Sequence, residues 1–269
     1  MRPLNCLIAA LSVYVGAFAA GVRWPGLDVC LAALSAAFIA GAGNAFNDVR
    51  DLDIDRINRP SRPLPAGHLT PRTALNFSIF LTLVGLALSW WLGPILGTLA
   101  SAIVGALAMY STLLKNKAFW GNFCIALISG LAFPYGALTT GALGRSWIAA
   151  GFAFLFHLGR EIVKDIEDIE GDRAAGAGTL PLRWNPLQAA HLCSLIFLIL
   201  ILFTLLPWML DLYGTMYLGT VVLVDLLLFY AIFQLHRTRA QLPDSRLAEH
   251  LKAGMLLGLL AIIAGELWR

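Results

Sequence analysis

Nine apolar runs of about twenty residues dominate the sequence, at roughly 4–22, 27–46, 74–92, 95–114, 119–138, 146–164, 187–207, 213–235 and 250–268. About twenty residues is the length an α-helix needs to cross a bilayer. Of the 269 residues, 59% are hydrophobic and only 13% are charged, about half the charge density of a soluble domain. A water-soluble globule could not hide so much apolar surface, and a disordered chain would not carry it. An outer-membrane barrel would show stretches of ~10 residues with alternating polarity, and none appear. Arg2 before the first run gives it the look of a secretory leader, but no small-residue cleavage site follows, so the run is read as the first spanning helix. The expectation is an all-α, polytopic membrane protein of nine transmembrane helices, a single intramembrane domain over 1–269. A net charge of +3 gives no reason to invoke nucleic acid, and nothing indicates an obligate protein partner.

Nine spans put the termini on opposite sides, and the bases orient them. Sixteen of the nineteen Lys and Arg fall on the face of the N-terminus and of the 47–73, 115–118, 160–186 and 236–252 segments; Arg23, Arg145 and Arg269 fall on the other. The positive-inside rule makes the first face cytoplasmic. That places a multi-pass protein in the cell (plasma) membrane, N-terminus in and C-terminus out. Trp90, Trp91, Trp147, Trp208 and Trp268 stand at span ends and read as interfacial belt residues. Cys6, Cys30, Cys124 and Cys193 are scattered singly, without metal-ligand spacing, and read as small core residues. Gly93–Gly97 and Gly254–Gly258 fit the small-xxx-small pattern of close helix contact.

The acids are concentrated. Ten of sixteen Asp and Glu lie in two stretches, Asn47–Asp55 and Arg160–Asp172, at the cytoplasmic ends of the second and sixth spans. At 100° per residue, Asn47, Asp48, Asp51 and Asp55 cover an arc of about 100° that includes Asn44, with Asp53 turned away. Glu161, Asp165, Asp168 and Asp172 share an arc of about 40–60°, with Glu167 and Glu170 opposite. Like charges in a helical stripe repel, and the macrodipole disfavours acids at a helix C-terminus. Hard divalent cations would offset both effects, and Mg²⁺ characteristically binds one or two carboxylates together with substrate phosphates. Two stripes could hold two ions bridged by a diphosphate, near Arg56, Arg59, Arg62, Lys115 and Lys164. Acids trading salt bridges with nearby bases are the plainer account of one stripe alone; two stripes on one side weaken it. An EF-hand would need Gly and Glu where Arg56 and Arg62 stand, so that reading fails.

The stretches also look like copies. Asp51-xxx-Asp55-Arg56 precedes a loop with Leu64-Pro65, and Asp168-xxx-Asp172-Arg173 precedes one with Leu180-Pro181. Their spans are four apart, which suggests two four-helix repeats plus a ninth helix. The loops are rich in turn residues and could cap a site.

At these residues the chain resembles a known family. Asn47-Asp48-xx-Asp51-xxx-Asp55, the following Arg59-Pro-Ser-Arg62-Pro, and Asp165-xx-Asp168-xxx-Asp172 are similar to the two aspartate-rich signatures of the UbiA superfamily, intramembrane prenyltransferases of nine helices. The Arg160–Asp172 segment and the Gly121-Asn122…Gly130…Tyr135-Gly136 run resemble members that prenylate geranylgeranylglyceryl phosphate. The resemblance implies Mg²⁺ held by Asp48, Asp51, Asp55, Asp165, Asp168 and Asp172. Asp51, Asp55, Asp168 and Asp172 would be the catalytic core of that set, with Asn47 as a neutral ligand or hydrogen-bond donor. Arg59, Arg62, Lys115 and Lys164 would neutralise a polyprenyl diphosphate, geranylgeranyl diphosphate in the nearest members, and Tyr110 could line the site. The acceptor would be lipid-like and the product an ether lipid. Homogentisate-type members carry a similar second motif, so an aromatic acceptor stays open. From another class, an ion-coupled transporter also uses intramembrane acids, though usually near the midplane. His157 reads as an interior histidine rather than a base. Asp225, near the middle of a span, is costly there and is either a structural hydrogen-bonder or a group with a role of its own.

Overall fold

The computed structural model describes residues 2–115, 117–240 and 246–268; Arg269, one of the three outer bases, lies outside them. Among the described residues the chain is helical throughout, with no strand. In chain order come α1 (Pro3–Ala19), α2 (Leu27–Arg50), α3 (Leu52–Asn58), α4 (Pro71–Leu92) and α5 (Pro94–Met109). A π-helical turn over Tyr110–Leu114 then leads to α6 (Phe119–Leu138), α7 (Ser146–Glu167), α8 (Ile169–Ala174) and α9 (Leu180–Arg183). The chain ends with α10 (Pro186–Met209), α11 (Thr215–Arg237) and α12 (Leu247–Leu267).

Among the described residues seven helices are long and apolar enough to cross a membrane: α2, α4, α5 with its π turn, α6, α10, α11 and α12. Two of the expected spans fall short for physical reasons. α1 has 17 residues, roughly 25 Å of helix against a ~30 Å hydrocarbon core. α7 carries Arg160, Glu161, Lys164, Asp165 and Glu167 in its last two turns.

Packing runs round a loop. α1 lies against α2, α6 and α12; α2 against α4; α4 against α5; α6 against α7; and α7 against α10, which meets α11 and so α12. The tightest crossing joins α1 to α6. A Cβ on Gly16 would stand 2.0 Å from the Phe133 carbonyl oxygen, and one on Gly136 would stand 1.8 Å from that of Val13. Each glycine thus receives the other helix's backbone, the contact that small residues permit. The two small-xxx-small pairs read from the sequence do less. Gly93 sits in the α4–α5 turn at φ +138° and Gly97 lies under the Trp90 ring; Gly254 meets Leu227 and Phe156, while Gly258 faces open space.

Several polar side chains inside the bundle are hydrogen-bonded to one another. Ser35, Ser89 and Tyr135 tie α2, α4 and α6 through hydroxyl contacts of 2.7 and 2.8 Å. Asp225 accepts from the Thr204 hydroxyl at 3.2 Å, and the Tyr217 hydroxyl donates to the Thr204 carbonyl at 2.7 Å. A structural role for Asp225 is therefore visible. The four cysteines are free thiols. The five tryptophans assigned to the interfacial belt are exposed. At the end remote from the aspartate motifs, Arg145 forms a two-pronged salt bridge with buried Glu266, at 2.7 and 3.0 Å.

Candidate active site at the carboxylate-bearing helix ends

Both aspartate stretches lie where a long helix breaks and restarts. α2 stops at Arg50, Asp51 takes φ −94°, ψ 7°, and α3 follows. α7 stops at Glu167, Asp168 takes φ −90°, ψ 7°, and α8 follows. The bonds around the breaks match: Asp51 N–H to Asn47 O and Asp168 N–H to Lys164 O, both 2.9 Å, then Asp55 N–H to Asp51 O at 2.8 Å and Asp172 N–H to Asp168 O at 3.0 Å. The stripes therefore bend at their middle aspartates instead of following one straight helix, as the 100° projection had assumed.

The bends bring α3 against α8, and Asn58 joins them. Its amide donates to the Asp168 carbonyl at 3.2 Å and its Oδ1 accepts from Gly171 N–H at 3.1 Å. Gly171 leaves room for this, since a Cβ there would stand 2.4 Å from the Asn58 amide. Next to it, Arg59 donates to Asp168 Oδ1 at 2.8 Å, so the loop after the first motif closes on the second.

The other bases come from further away. Arg2, before α1, donates to Asp48 at 2.7 Å, and Arg62 grips both oxygens of Asp55 at 2.6 and 2.8 Å. Lys115 pairs with Asp51. It does so from the end of the π turn, whose Lys115 N–H bonds Tyr110 O, five residues back, at 2.9 Å; such turns occur frequently at functional sites. Lys164 and Arg160 both hold Glu161, at 2.9 Å each. Asp165 accepts from the Asn122 amide at 2.8 Å. Asp172 has no ion pair among the described residues; burial and the neighbouring Asp168 carboxylate push it up to about 6. Asp53 and Arg56 pair with each other at the exposed surface.

A cavity of about 230 Å³ opens beneath these groups. Its polar end holds Arg2, Asn47, Arg160, Glu161, Lys164 and Lys252; its depth is apolar, with Ile8, Ile39, Ile103 and Ile128. Buried Tyr110 lines it, as does half-buried His157. The six aspartates stand above it rather than in its wall.

The donor set fits a hard divalent cation. Asn47 donates to Asp51 Oδ2 at 2.6 Å, while its own Oδ1 is buried and unpartnered, a costly state unless something positive meets that oxygen. Among the described residues no three acids, histidines or thiols converge as a closed cage. An open set of carboxylates is what Mg²⁺ uses when phosphate oxygens and water complete its shell.

Reading the sequence missed Arg2, Asn58, Asn122 and Arg160 as site residues. Asn122 and Arg160 lay within segments singled out for other reasons. Nothing local marks Asn58, and Arg2 drew notice only as the base before an apolar run.

Fold and site together define a class: a helical membrane enzyme that carries paired carboxylate motifs at one end of an apolar cavity. The chain belongs to the UbiA prenyltransferase family, whose model matches residues 9–260. A digeranylgeranylglyceryl phosphate synthase of Methanosarcina barkeri is 37% identical over 280 residues, covering 98% of this chain and 96% of that protein. A solved digeranylgeranylglyceryl phosphate synthase superposes with a TM-score of 0.76 at 30% identity, over 98% of this chain and 95% of the other. A UbiA homologue from Archaeoglobus fulgidus bound to GPP and Mg²⁺ shares the fold, with a TM-score of 0.70 at 19% identity over 96% and 97% of the two chains.

Proposed function

We propose that this protein transfers a geranylgeranyl group from its diphosphate to the free hydroxyl of geranylgeranylglyceryl phosphate, making the second ether of a membrane lipid. The observation that carries this is the joining of the two aspartate motifs, through Asn58 and Arg59, at the polar end of an apolar cavity. The synthase names of its relatives support the acceptor. The whole chain acts as one domain, with nine helices crossing the plasma membrane as two four-helix repeats and a ninth. The matching breaks at Asp51 and Asp168 support the repeat. The N-terminus and the site face the cytoplasm.

Asp48, Asp51, Asp55, Asp165, Asp168 and Asp172 would hold Mg²⁺, with Asn47 Oδ1 as a neutral ligand. The Mg²⁺ carried by the Archaeoglobus homologue supports this assignment. Bound there, the ion stabilises the negative charge that gathers on the departing diphosphate. Arg59, Arg62, Lys115 and Lys164 do the same from the protein side once diphosphate oxygens displace their present carboxylate partners. Ile8, Ile39, Ile103 and Ile128 sheath the isoprenoid chain and keep water from the allylic cation left when the carbon–oxygen bond breaks. Tyr110 lines the cavity near Lys164, where its ring can steady that cation. The acceptor oxygen then bonds to the allylic carbon, and its proton leaves on the diphosphate.

Purified protein with geranylgeranyl diphosphate and Mg²⁺, offered geranylgeranylglyceryl phosphate, 4-hydroxybenzoate and homogentisate in parallel, should yield the diether alone by mass spectrometry. An aryl product without ether lipid would overturn the assignment.

A further inference from the structure

The proposed reaction brings two anionic substrates together, so a site for one phosphate-bearing group is insufficient. The bases sort into two groups. Arg59, Arg62 and Lys115 are bound to the aspartates of the two motifs. Among the described residues Arg160 and Lys252, like Lys164, pair with none of the six aspartates; Arg160 holds Glu161, and Arg160 and Lys252 line the cavity from α7 and α12. They stand close together: Arg160 Nε donates to the Ala248 carbonyl at 3.1 Å, one helical turn before Lys252. Glu249 lies in the field of both.

Their present partners differ in strength. Arg160 is held by buried Glu161, which fixes the guanidinium at the cavity wall. Lys252 is itself largely covered, with its side chain 15% exposed, but its partner Glu249 is 62% exposed. An ion pair with so solvated a carboxylate is weak, and a phosphate oxygen entering the cavity can replace it. The result is one fixed planar donor and one releasable ammonium in the wall of a cavity that Ile8, Ile39, Ile103 and Ile128 also line. That combination suits a phosphate monoester attached to a hydrocarbon chain.

We propose that Arg160 and Lys252 form a second anion site that binds the phosphate of the acceptor and so selects a phosphorylated lipid over its free alcohol. The proposal rests on the ether-lipid reading above. Its test uses the full chain in phosphatidylcholine nanodiscs. Lys252→Gln should raise KM for geranylgeranylglyceryl phosphate about tenfold or more, the size expected for one charge-assisted bond, while KM for geranylgeranyl diphosphate stays within about twofold. Lys252→Arg should restore most of the loss. Binding of each acceptor alone, followed by native mass spectrometry without diphosphate, should show wild type preferring geranylgeranylglyceryl phosphate to geranylgeranylglycerol and Lys252→Gln losing that preference. If the variant keeps the preference, or if the diphosphate KM rises instead, the proposal is wrong. It is equally wrong if wild type does not bind the phosphorylated acceptor. Wild type that binds it with this preference but forms no ether would uphold the anion site and overturn the ether-lipid reading.

Discussion

The two aspartate motifs share a backbone and differ in charge. Each bends at its middle aspartate with nearly the same dihedral angles. In the first, every carboxylate of the set has a cation: Arg2 on Asp48, Lys115 on Asp51, Arg62 on Asp55. In the second, among the described residues, Asp168 alone has one, Asp165 meets a neutral amide, and Asp172 is held up near 6. Two similar helix breaks thus carry one compensated set of carboxylates and one largely uncompensated set. On the proposed function, the difference would let the first motif position bases that a diphosphate recruits, while the second offers less compensated carboxylates to a cation.

Removing a charge from either half should have the largest effect. Asp51→Asn and Asp168→Asn are each expected to lower Mg²⁺-dependent transfer at least ~10²-fold, the scale of losing one electrostatic stabiliser of a transition state; near-normal product formation by both would sink the enzyme mechanism. Cutting the link between the halves comes next. Asn58→Ala removes two hydrogen bonds and leaves Gly171 N–H without its partner, a loss of about 1–3 kcal/mol that thermal unfolding in detergent would register. Gly171→Ala, which drives a methyl into Asn58, should act in the same direction.

The charge difference itself predicts a pH effect of intermediate size. Asp172 starts from 3.8 when unfolded and stands at about 6 in the fold. Between those values the metal-free native state binds the extra proton, so this group's contribution to stability falls as pH rises through the window. Mg²⁺ needs the carboxylate, so its affinity should climb over the same range and level off above about pH 6. Comparing wild type with Asp172→Asn isolates the group: equal pH slopes in Mg²⁺ titrations would refute its part in the site. The smallest effect belongs to the exposed pair. Asp53→Asn or Arg56→Gln should change stability by no more than about 0.5 kcal/mol and leave turnover as it was; a large loss would mean that the acids turned outward matter too.

Much of this was legible beforehand, because hydrophobic length and charge clustering are properties of sequence alone. The apolar runs locate the long helices, and spacing sets Asp53 apart from Asp48, Asp51 and Asp55. What could not be read depends on contacts between distant segments. Asn58 is an ordinary loop residue until Gly171 lies opposite it, 113 positions away. Arg2 gains meaning from Asp48, 46 positions on. Gly16 and Gly136 matter because their helices cross there, whereas of the regularly spaced glycines Gly254 alone packs against other helices, and the rest serve a turn, a local contact with Trp90 and open space. A bend at Asp51 is equally invisible to a projection that assumes a straight helix.

The π turn before Lys115 has a consequence for how this chain can change. It holds one surplus residue in the last turn of its helix, directly before Lys115. Deleting any single residue of Ser111–Leu114 would let the ordinary ladder close, with the lysine N–H bonded to the same Tyr110 carbonyl from four residues on instead of five, so the ammonium should stay aimed at Asp51. Along most of a membrane span an altered residue is judged by its own size and polarity. Here the count of residues is open to change as well, because a turn of five positions can give one up and still anchor the charged residue beyond it to the same carbonyl.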